Sequence, residues 1–470
     1  MPLPTARRNI IARRRVWLLA AACALAVTAG VLVIPDSDAP APGALALEAE
    51  KDLSSNRPTP RNFTGYGFDQ CHTPSQKAMD AWLKNSAFWA VGVYLSGDSR
   101  ACRDQPNLTA TWVSTQLAKG WRIIPITLGP QAHCNSRFPR YQDDKVIAKS
   151  STGNYAAARK QGVAEAKKAV TAAGLIGIVP GSTLWYDLEA FDISKAGCRK
   201  SAMRFLSGWT EQLHRSKYVS GAYSSGASGI VAIDAARRNN STFTEPDRIW
   251  VADWSGTPMK FTGKWLADDG WVPGGRMHQY RGGHDEVHGK VRINIDSNFL
   301  DLGDGTTAPK AQVHCKRADQ AGIGLDFRTY PAMTPDKYYA KRTDALKCLL
   351  TEQGYQLGAY DGRWGAKLTK ALVAYRKAQG MSADPVASKP VWMRLLSAGR
   401  APLVKYGAAR EAVRRLQRTL NVTVGEKLPI TGYFGSETTR SVKLYQQAHK
   451  LNSTGVVTDK LWKMLKAGKR

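Results

Sequence analysis

Short apolar runs alternate with amphipathic stretches through the middle of the chain, from position 61 to about position 301. Apolar runs bounded by turn residues are typical of buried strands, whereas apolar positions three and four apart are typical of helices. The alternation predicts β-α units around a parallel sheet, and eight such runs predict an α/β fold of the TIM-like β/α barrel type. The predicted strands are 66–69, 90–95, 122–128, 183–189, 218–223, 248–254, 277–280 and 292–296.

Helical stretches separate several of these runs and are predicted at 76–84, 109–119, 155–173 and 200–215. The last two apolar runs have no helical stretch between them. They could form one hairpin, so the strand count stays open.

The C-terminal part of the chain contains a duplication, in which a block of about 60 residues recurs at an offset of 70 without gaps. The offset pairs Gly362 with Gly432 and Trp392 with Trp462. Each copy has an amphipathic stretch, a glycine turn and two further helical stretches, which predicts a small all-α three-helix module, present twice. The predicted organisation is an export segment at 1–47, a barrel at 61–305 and modules at 339–400 and 408–468.

The glycine turns of the two copies, at 360–365 and 430–435, also carry aromatic residues. This pattern closely resembles the type 1 peptidoglycan-binding domain, whose turn and aromatic residues line a groove for cell-wall peptide or glycan. Aromatic residues at helical spacing, such as Tyr375 and Trp392, are expected in the module cores. The resemblance implies binding by Tyr360, Asp361, Arg363 and Trp364 in the first copy, and by Tyr433 and Phe434 in the second.

The N-terminus combines five arginines, between positions 7 and 15, with an unbroken apolar run at 16–34. This is the pattern of an export segment rather than of a folded element. The Arg7-Arg8 pair resembles a twin-arginine signal. The apolar run of 19 residues approaches the ~20 that span a bilayer, so both cleavage near 44–46 and retention as a membrane anchor stay open.

Seven cysteines are present, and one of them, Cys23, lies in the apolar run. The even number that remains in an exported chain predicts disulfides. The sequence alone does not fix the pairing. Proximity in the chain favours Cys71 with Cys102, Cys134 with Cys198, and Cys315 with Cys348.

No metal and no cofactor are predicted. The sequence has no Cys-x-x-Cys spacing, and the stretch 284–288 has its glutamate in the wrong place for the helical zinc motif of metalloproteases. The formal charge of +29, concentrated in the repeats, implies an anionic partner. Since no nucleic-acid-binding signature is present, we expect peptidoglycan, another cell-wall polysaccharide or anionic wall polymers rather than nucleic acid.

Acidic residues stand at the ends of several predicted strands. Catalytic groups of β/α barrels gather at the C-terminal strand ends. Asp187 and Glu189 share one face of a strand, with Cα atoms about 6.5–7 Å apart, close enough for one carboxylate to raise the proton affinity of the other. Hydrolysis of a glycosidic bond needs a proton donor and a second carboxylate. The strand-end acids are Asp69, Asp187, Glu189, Asp253 and Asp296.

Three motifs in this region resemble the family-25 glycoside hydrolases, which are lysozyme-type muramidases. They are 67–69, 187–189, and 279–280 followed by 295–299. A closer resemblance is to a secreted glycoside-hydrolase-like group known as domain of unknown function family 1906. The resemblance implies Glu189 as general acid, Asp187 as its charge-stabilising partner, and Asp69 and Asp296 as substrate-orienting carboxylates.

Strand-end residues beside these acids are further candidates for substrate binding, namely Tyr223, Asp253, Trp254 and Tyr280. Cys71 and His72 differ from the muramidase pattern, and Asp253 lies outside it. The sequence therefore predicts an exported cell-wall glycan hydrolase, muramidase-like, targeted by two C-terminal modules. A non-catalytic wall-binding protein with an inactive barrel is the alternative, and a hydrolase of a different polysaccharide is the third hypothesis.

Overall fold

The computed structural model describes residues 55–239, 242–258, 264–316 and 322–470. The predicted export segment at 1–47 lies outside these residues. Within the described ranges, no helix has both the length and the apolar character that a membrane crossing requires.

Eight strands close into a barrel in chain order, as the sequence predicted. Neighbouring strands from the first to the seventh pair in parallel. The eighth runs antiparallel to both the seventh and the first, so the expectation of a wholly parallel sheet is wrong at this strand. The strands are β1 (Phe63–Asp69), β2 (Ala90–Ser96), β3 (Arg122–Thr127), β4 (Thr183–Asp187), β5 (Val219–Ser225), β6 (Arg248–Ala252), β7 (Gly275–His288) and β8 (Val291–Leu302).

The last two strands form the hairpin that the sequence left open, and both still belong to the barrel wall. Their apolar runs are separated by the turn at 289–290, which is too short for a helix. Antiparallel strands can be joined by such a turn, whereas parallel strands need a crossover.

Helices pack outside the barrel at the predicted places, and the sequence missed only the short α5. The side chains of Ser75 and Thr109 cap the first two helices by accepting hydrogen bonds from backbone N–H groups in the first turn. A π-helical turn at Gly226–Ile230 leads into α5. The helices are α1 (Gln76–Asn85), α2 (Ala110–Lys119), α3 (Thr152–Leu175), α4 (Ala196–Arg215) and α5 (Val231–Asn239).

The duplicated region forms two three-helix modules that share one hydrophobic core. Trp392 and Trp462 are fully buried, and their indole N–H groups donate to the carbonyl oxygens of Pro331 and Pro402 at 3.0 and 2.8 Å. The same contact in both copies explains why the two tryptophans recur at the offset of 70. The first module contains α6 (Ala340–Glu352), α7 (Ala366–Ala378) and α8 (Lys389–Leu396), and the second contains α9 (Glu411–Thr423), α10 (Ser436–Ala448) and α11 (Asp459–Lys466).

The segment between the modules is inserted into the barrel. Lys405 is almost fully buried, and its Nζ donates to the carbonyl oxygens of Leu83 and Phe88 at 2.8 and 2.6 Å. Burial lowers the pKa of this lysine well below its ordinary value. Phe88 precedes β2, so Lys405 lies at the N-terminal end of the strands. The ring of Tyr406 packs 4.8 Å from that of Tyr66 on β1.

Three disulfides confirm the pairing that chain proximity favoured. Cys71 pairs with Cys102 and Cys134 with Cys198 in the barrel, and Cys315 pairs with Cys348 at the first module. The first of these bonds connects the loop after β1 to the loop after β2, beside the carboxylates described next.

Candidate active site

Four carboxylates meet at the C-terminal rim of the barrel. Asp69 is the last residue of β1, Asp187 is the last residue of β4, and Glu189 follows two positions later. Asp296 stands directly opposite Asp69 in the β1–β8 register. It lies within β8 rather than at the end of a parallel strand, and it reaches the rim because β8 runs in the opposite direction.

A cleft of about 280 Å³ opens among these strand ends. Its lining includes the acids Asp69, Glu189 and Asp296, together with Tyr94 at the end of β2. Two arginines from the loops after β2 and β3 also line it, Arg100 and Arg140. The cleft therefore brings carboxylates and guanidinium groups into one small volume.

Asp69 is buried at the base of the cleft. Its Oδ1 accepts hydrogen bonds from Asn298 Nδ2 at 2.6 Å and from Gln279 Nε2 at 3.3 Å. Burial and, to a smaller extent, the neighbouring Asp296 together raise the pKa of Asp69 to about 8. A Cβ at Gly92 would lie 2.4 Å from the Asp69 Cβ, so only glycine fits beside this side chain. At neutral pH, Asp69 therefore favours its protonated form.

Gln279 connects Asp69 to the rest of the rim. Its Nε2 also donates to Asp296 Oδ2 at 3.2 Å. Its Oε1 accepts from the Tyr223 hydroxyl at 3.0 Å and from the Trp254 indole at 3.1 Å. These donors fix the orientation of the amide, because only the oxygen can accept and only the nitrogen can donate.

Gln279 and Asn298 lie within the motifs found in the sequence, but no role in the site was predicted for either residue. Alternation of side chains along a strand could have identified Asn298, because it lies two residues after Asp296 and so shares its face. Asn298 is in turn oriented by the Trp250 indole, which donates to its Oδ1 at 2.9 Å.

Asp187 is buried behind the cleft. Its Oδ2 accepts from the Tyr94 hydroxyl at 3.2 Å, while its Oδ1 has no hydrogen-bond partner among the residues that the structure describes. Burial raises the pKa of Asp187 well above its ordinary value, and Glu189 and Asp69 add to the shift. The sequence did not single out Tyr94.

Glu189 is more open than Asp187. Its Oε2 lies 2.8 Å from Nη2 of Arg137, an ion pair in which the glutamate side chain is 26% exposed and the arginine 62%. Gln131 positions the segment, since its Oε1 accepts from the Glu189 backbone N–H and its Nε2 donates to the Asp187 carbonyl, both at 2.8 Å. The carboxylate of Glu189 thus faces the cleft with its backbone held in place.

The other strand-end candidates have different surroundings. Trp254 is 67% exposed and lies over Gly282, where a Cβ would collide with the indole ring. Asp253 is ion-paired with Lys264 at 3.4 Å. Trp254 therefore exposes its aromatic ring to solvent at the rim, whereas the carboxylate of Asp253 is already paired with Lys264.

Contrary to the prediction for this residue, Tyr280 is not among the residues that line the cleft. It follows Gln279 at a β-bulge between Gln279 and Arg281. Tyr280 bonds to Ser297, and burial raises its pKa to about 12. We therefore remove Tyr280 from the candidate substrate contacts.

The turn of the first module presents its predicted residues at the surface. Asp361 is exposed and accepts a hydrogen bond from Lys347 Nζ at 2.5 Å, which lowers the aspartate's pKa to about 2. Trp364 is half-buried, and its indole donates to Thr369 Oγ1 at 2.9 Å. Tyr360 is also half-buried. These residues remain candidates for wall binding.

The turn of the second module is placed differently. Phe434 is fully buried in the module core. The ring of Tyr433 lies 6.3 Å from that of Tyr406, which packs on the barrel. Burial raises the pKa of Tyr433, and the nearby Tyr406 adds to the effect. The prediction that Phe434 contacts a ligand is wrong, because this side chain has no exposed surface. Tyr433 lies on the side of the module that faces the barrel.

Two clusters contain residue types that can bind a metal. In the first, the carboxylate of Glu286 pairs with the side chains of His284 and His288 at 3.1 and 2.7 Å. These three residues alternate along β7 and do not lie on a helix. Cys315, Cys348 and Glu352 are close enough to share an ion among the described residues. The two sulfurs of this second cluster are joined in a disulfide, so they are not thiolate ligands.

Comparison with known families agrees with both parts of this architecture. Residues 80–300 match the Rv2525c-like, glycoside hydrolase-like domain. Residues 409–465 match PG_binding_1, a peptidoglycan binding domain. The prediction of a glycoside-hydrolase-like barrel followed by peptidoglycan-binding modules is confirmed at this level. No curated protein matches the sequence.

Solved structures with similarity to the chain include an uncharacterized B. stearothermophilus protein, with 19% identity, a TM-score of 0.33, and coverage of 50% of this chain and 95% of that one. The Mycobacterium tuberculosis Tat-secreted protein Rv2525c, crystallised with L-tartrate, has 14% identity, a TM-score of 0.33, and coverage of 51% and 97%. The modular autolysin LytC from Streptococcus pneumoniae has 12% identity, a TM-score of 0.31, and coverage of 50% and 46%.

Proposed function

Since residues 80–300 carry a glycoside hydrolase-like domain and residues 409–465 a peptidoglycan binding domain, we propose that the protein is a cell-wall glycan hydrolase of the muramidase type. The observation that carries this proposal is the convergence of Asp69, Glu189 and Asp296 around one cleft, with Asp187 directly behind Glu189. Cleavage of a glycosidic bond needs one carboxyl group as acid and another as stabilising base or nucleophile.

Glu189 is the proposed general acid because it lines the cleft and its side chain is open to a substrate. To donate a proton to the leaving oxygen, Glu189 must first release Arg137. The arginine of that ion pair is 62% exposed, and exposed pairs contribute about 0–1 kcal/mol, so a bound glycan can displace the arginine at a modest cost.

Asp187 is the proposed second carboxylate. Its Oδ1 is buried without a partner among the described residues. Because burial raises the pKa of Asp187, this role requires that the carboxyl group be ionised when positive charge develops on the sugar. Tyr94 holds the other oxygen, Oδ2, in place. Asp69 and Asp296, bridged by Gln279, orient the sugar ring from the opposite side of the rim.

Wall binding falls to both modules in this proposal, since residues 409–465 match a peptidoglycan binding domain. The turn of the first module keeps Tyr360, Asp361 and Trp364 near the surface, whereas the matching turn of the second module holds a buried Phe434 and a Tyr433 on the barrel side. The wall-binding modules support a cell-wall location, and the arginine-rich, apolar N-terminus supports export. The basic excess of the chain fits anionic wall polymers as additional partners.

The test is release of soluble fragments from purified peptidoglycan by the intact exported protein, with Glu189→Gln as the matched variant and mass spectrometry of the products. Muramidase activity gives fragments that end in a reducing sugar, and Glu189→Gln abolishes them while sedimentation with the wall is unchanged. Fragments that lack new reducing ends would contradict the assignment to glycoside hydrolysis.

A wall-binding protein without turnover is the second candidate, and the Arg137–Glu189 ion pair favours it, because this pair occupies the proposed acid. Arg137→Gln separates the two hypotheses. If the ion pair only restrains an active site, the variant retains or gains hydrolysis. If the barrel is a binding domain, neither the parent nor the variant releases fragments from any wall type, although both sediment with it.

A further inference from the structure

One wall of the cleft is built from two loops that are cross-linked to each other. The loop after β2 and the loop after β3 are joined by a hydrogen bond from Ser99 to Asp144 and by an ion pair between Arg103 and Asp143 at 2.9 Å. The Cys71–Cys102 disulfide connects the first loop to the end of β1. This wall therefore has a fixed position relative to Asp69.

Arg100 projects from this wall into the cleft. Its Nε donates to the Gly97 carbonyl at 2.8 Å and its Nη1 to the Tyr94 carbonyl at 3.0 Å. Within the described part of the chain, Nη2 has no hydrogen-bond partner. The bonds of Nε and Nη1 fix the orientation of the Arg100 guanidinium, and the N–H groups of Nη2 remain available to donate.

Arg140 lines the same cleft from the second loop. Its guanidinium lies over the ring of Phe138, 4.9 Å from the centroid. No hydrogen bond or ion pair of this guanidinium exists among the residues the structure describes. Arg140 is close enough to Asp187 for its charge to act on that carboxyl, yet it pairs with none of the cleft acids.

Neighbouring arginines behave differently. Arg137 pairs with Glu189, and Arg103 pairs with Asp143. If Arg100 and Arg140 served to neutralise the cleft carboxylates, they would be expected to contact them in the same way. A guanidinium that is partly removed from water favours a bound anion, and its planar set of donors matches a carboxylate.

We infer that Arg100 and Arg140 form an anion subsite that binds a carboxylate carried by the glycan, next to the bond that faces Glu189. The inference deepens the proposed function, on which it rests, by assigning the substrate class as an acidic glycan. The carboxylate could come from a uronic acid ring or from the ether-linked acid of peptidoglycan strands that have lost their peptides. Both sources present the same planar anion.

The charges at the rim favour a singly charged anion, such as a carboxylate, as the group bound by the two arginines. Burial raises the pKa of Asp69 to about 8, so this acid favours its neutral form at neutral pH and repels an anion less, and burial also raises the pKa of Asp187. A doubly charged phosphate would still face Glu189 and Asp296 across a cleft of about 280 Å³, and like charges at such short range are unfavourable.

Equilibrium binding tests the subsite independently of turnover. Isothermal titration calorimetry is done on the intact exported protein with four disaccharides. Two are acidic, N-acetylglucosaminyl-N-acetylmuramic acid and the glucuronic acid disaccharide of hyaluronan. The controls are the methyl ester of the first and neutral chitobiose. We expect one or both acids to bind at least ten times more tightly than the controls, and Arg140→Gln to remove most of this preference.

Two further variants complete the design. Arg100→Lys keeps the charge and loses the planar donor set, and we expect it to weaken binding of the acids about tenfold. Arg215→Gln removes an exposed arginine at the end of α4 that is already paired with Glu211, and we expect no change. Thermal unfolding of each variant verifies that the fold is retained.

Equal affinity for acid and ester, absence of binding by both acids, or an unchanged preference in folded Arg140→Gln would each overturn the subsite. Acid-selective binding without any fragment release would instead leave the subsite intact and reject the proposed hydrolysis. The preferred acid identifies the source of the carboxylate.

Discussion

Asn298 on β8 donates a 2.6 Å hydrogen bond to Asp69 on β1, across the two strands that run antiparallel in the barrel. The contact places an amide N–H against a carboxyl group that burial already pushes toward its neutral form. The rim is therefore built around a buried acid whose surroundings are fixed by Asn298, Gln279 and the glycine at position 92.

Stability should fall as pH rises because of Asp69. Its pKa is about 8 in the folded chain and about 3.9 when unfolded, so the folded state binds more protons between these values. This contribution is fully present below about pH 4 and is lost as pH rises toward 8. We predict that Asp69→Asn reduces the slope of the urea midpoint against pH over that window. Identical slopes in both proteins would contradict the raised pKa.

Gly92 should tolerate no side chain. Because a Cβ at this position would lie 2.4 Å from that of Asp69, Gly92→Ala is expected to displace the acid and to lower the free energy of unfolding by about 1–3 kcal/mol. Gly174→Ala is the matched control, since nothing lies within 4 Å of its added Cβ. Chemical denaturation measures both, and equal effects at the two positions would refute the steric argument.

Lys405 should stabilise the contact between the barrel and the segment that joins the two modules. Lys405→Met removes the buried donor to Leu83 and Phe88, and two stranded carbonyl groups are expected to cost about 2–4 kcal/mol of unfolding free energy. The exposed Lys460 provides the control, and Lys460→Met should change stability by less than about 0.5 kcal/mol. A similarly small loss for Lys405→Met would show that the buried ammonium contributes no net stability.

Substitutions of Trp254 and Tyr280 should have different effects on the affinity for glycan. Trp254 exposes its ring at the rim, whereas Tyr280 is partly buried and bonded to Ser297. Trp254→Ala is expected to weaken binding of wall oligosaccharides about tenfold, which corresponds to about 1.4 kcal/mol, and Tyr280→Phe is expected to leave it unchanged. Fluorescence or calorimetric titration gives both values. Loss of binding in Tyr280→Phe would restore Tyr280 to the site.

The sequence predicted the barrel, the two modules and the disulfide pairing because each depends on local signals. Hydrophobic periodicity marks strands and helices, an exact repeat marks modules, and short separation favours Cys71 with Cys102. The antiparallel course of β8 was indicated only by the missing helical stretch between the last two runs, because an apolar run itself carries no information about strand direction.

The site was predicted less completely. Asp69 and Asp187 stood out because they follow apolar runs, but Tyr94, Gln279 and Arg140 come from separate strands and loops that only the closed barrel brings together. The two module turns illustrate the same limit. Trp364 and Phe434 are equivalent at the offset of 70, yet Phe434 is fully buried whereas Trp364 is half-buried.

The most direct test of the central claim is the count of new reducing ends when the intact protein acts on peptide-stripped glycan strands, with Asp187→Asn and Glu189→Gln measured in parallel. We predict that reducing ends accumulate with time for the parent protein and fall at least a hundredfold in each variant, while all three keep the same affinity for the wall. A parent protein that binds the strands and produces no reducing ends above the Glu189→Gln background would contradict the assignment of this barrel as a glycan hydrolase.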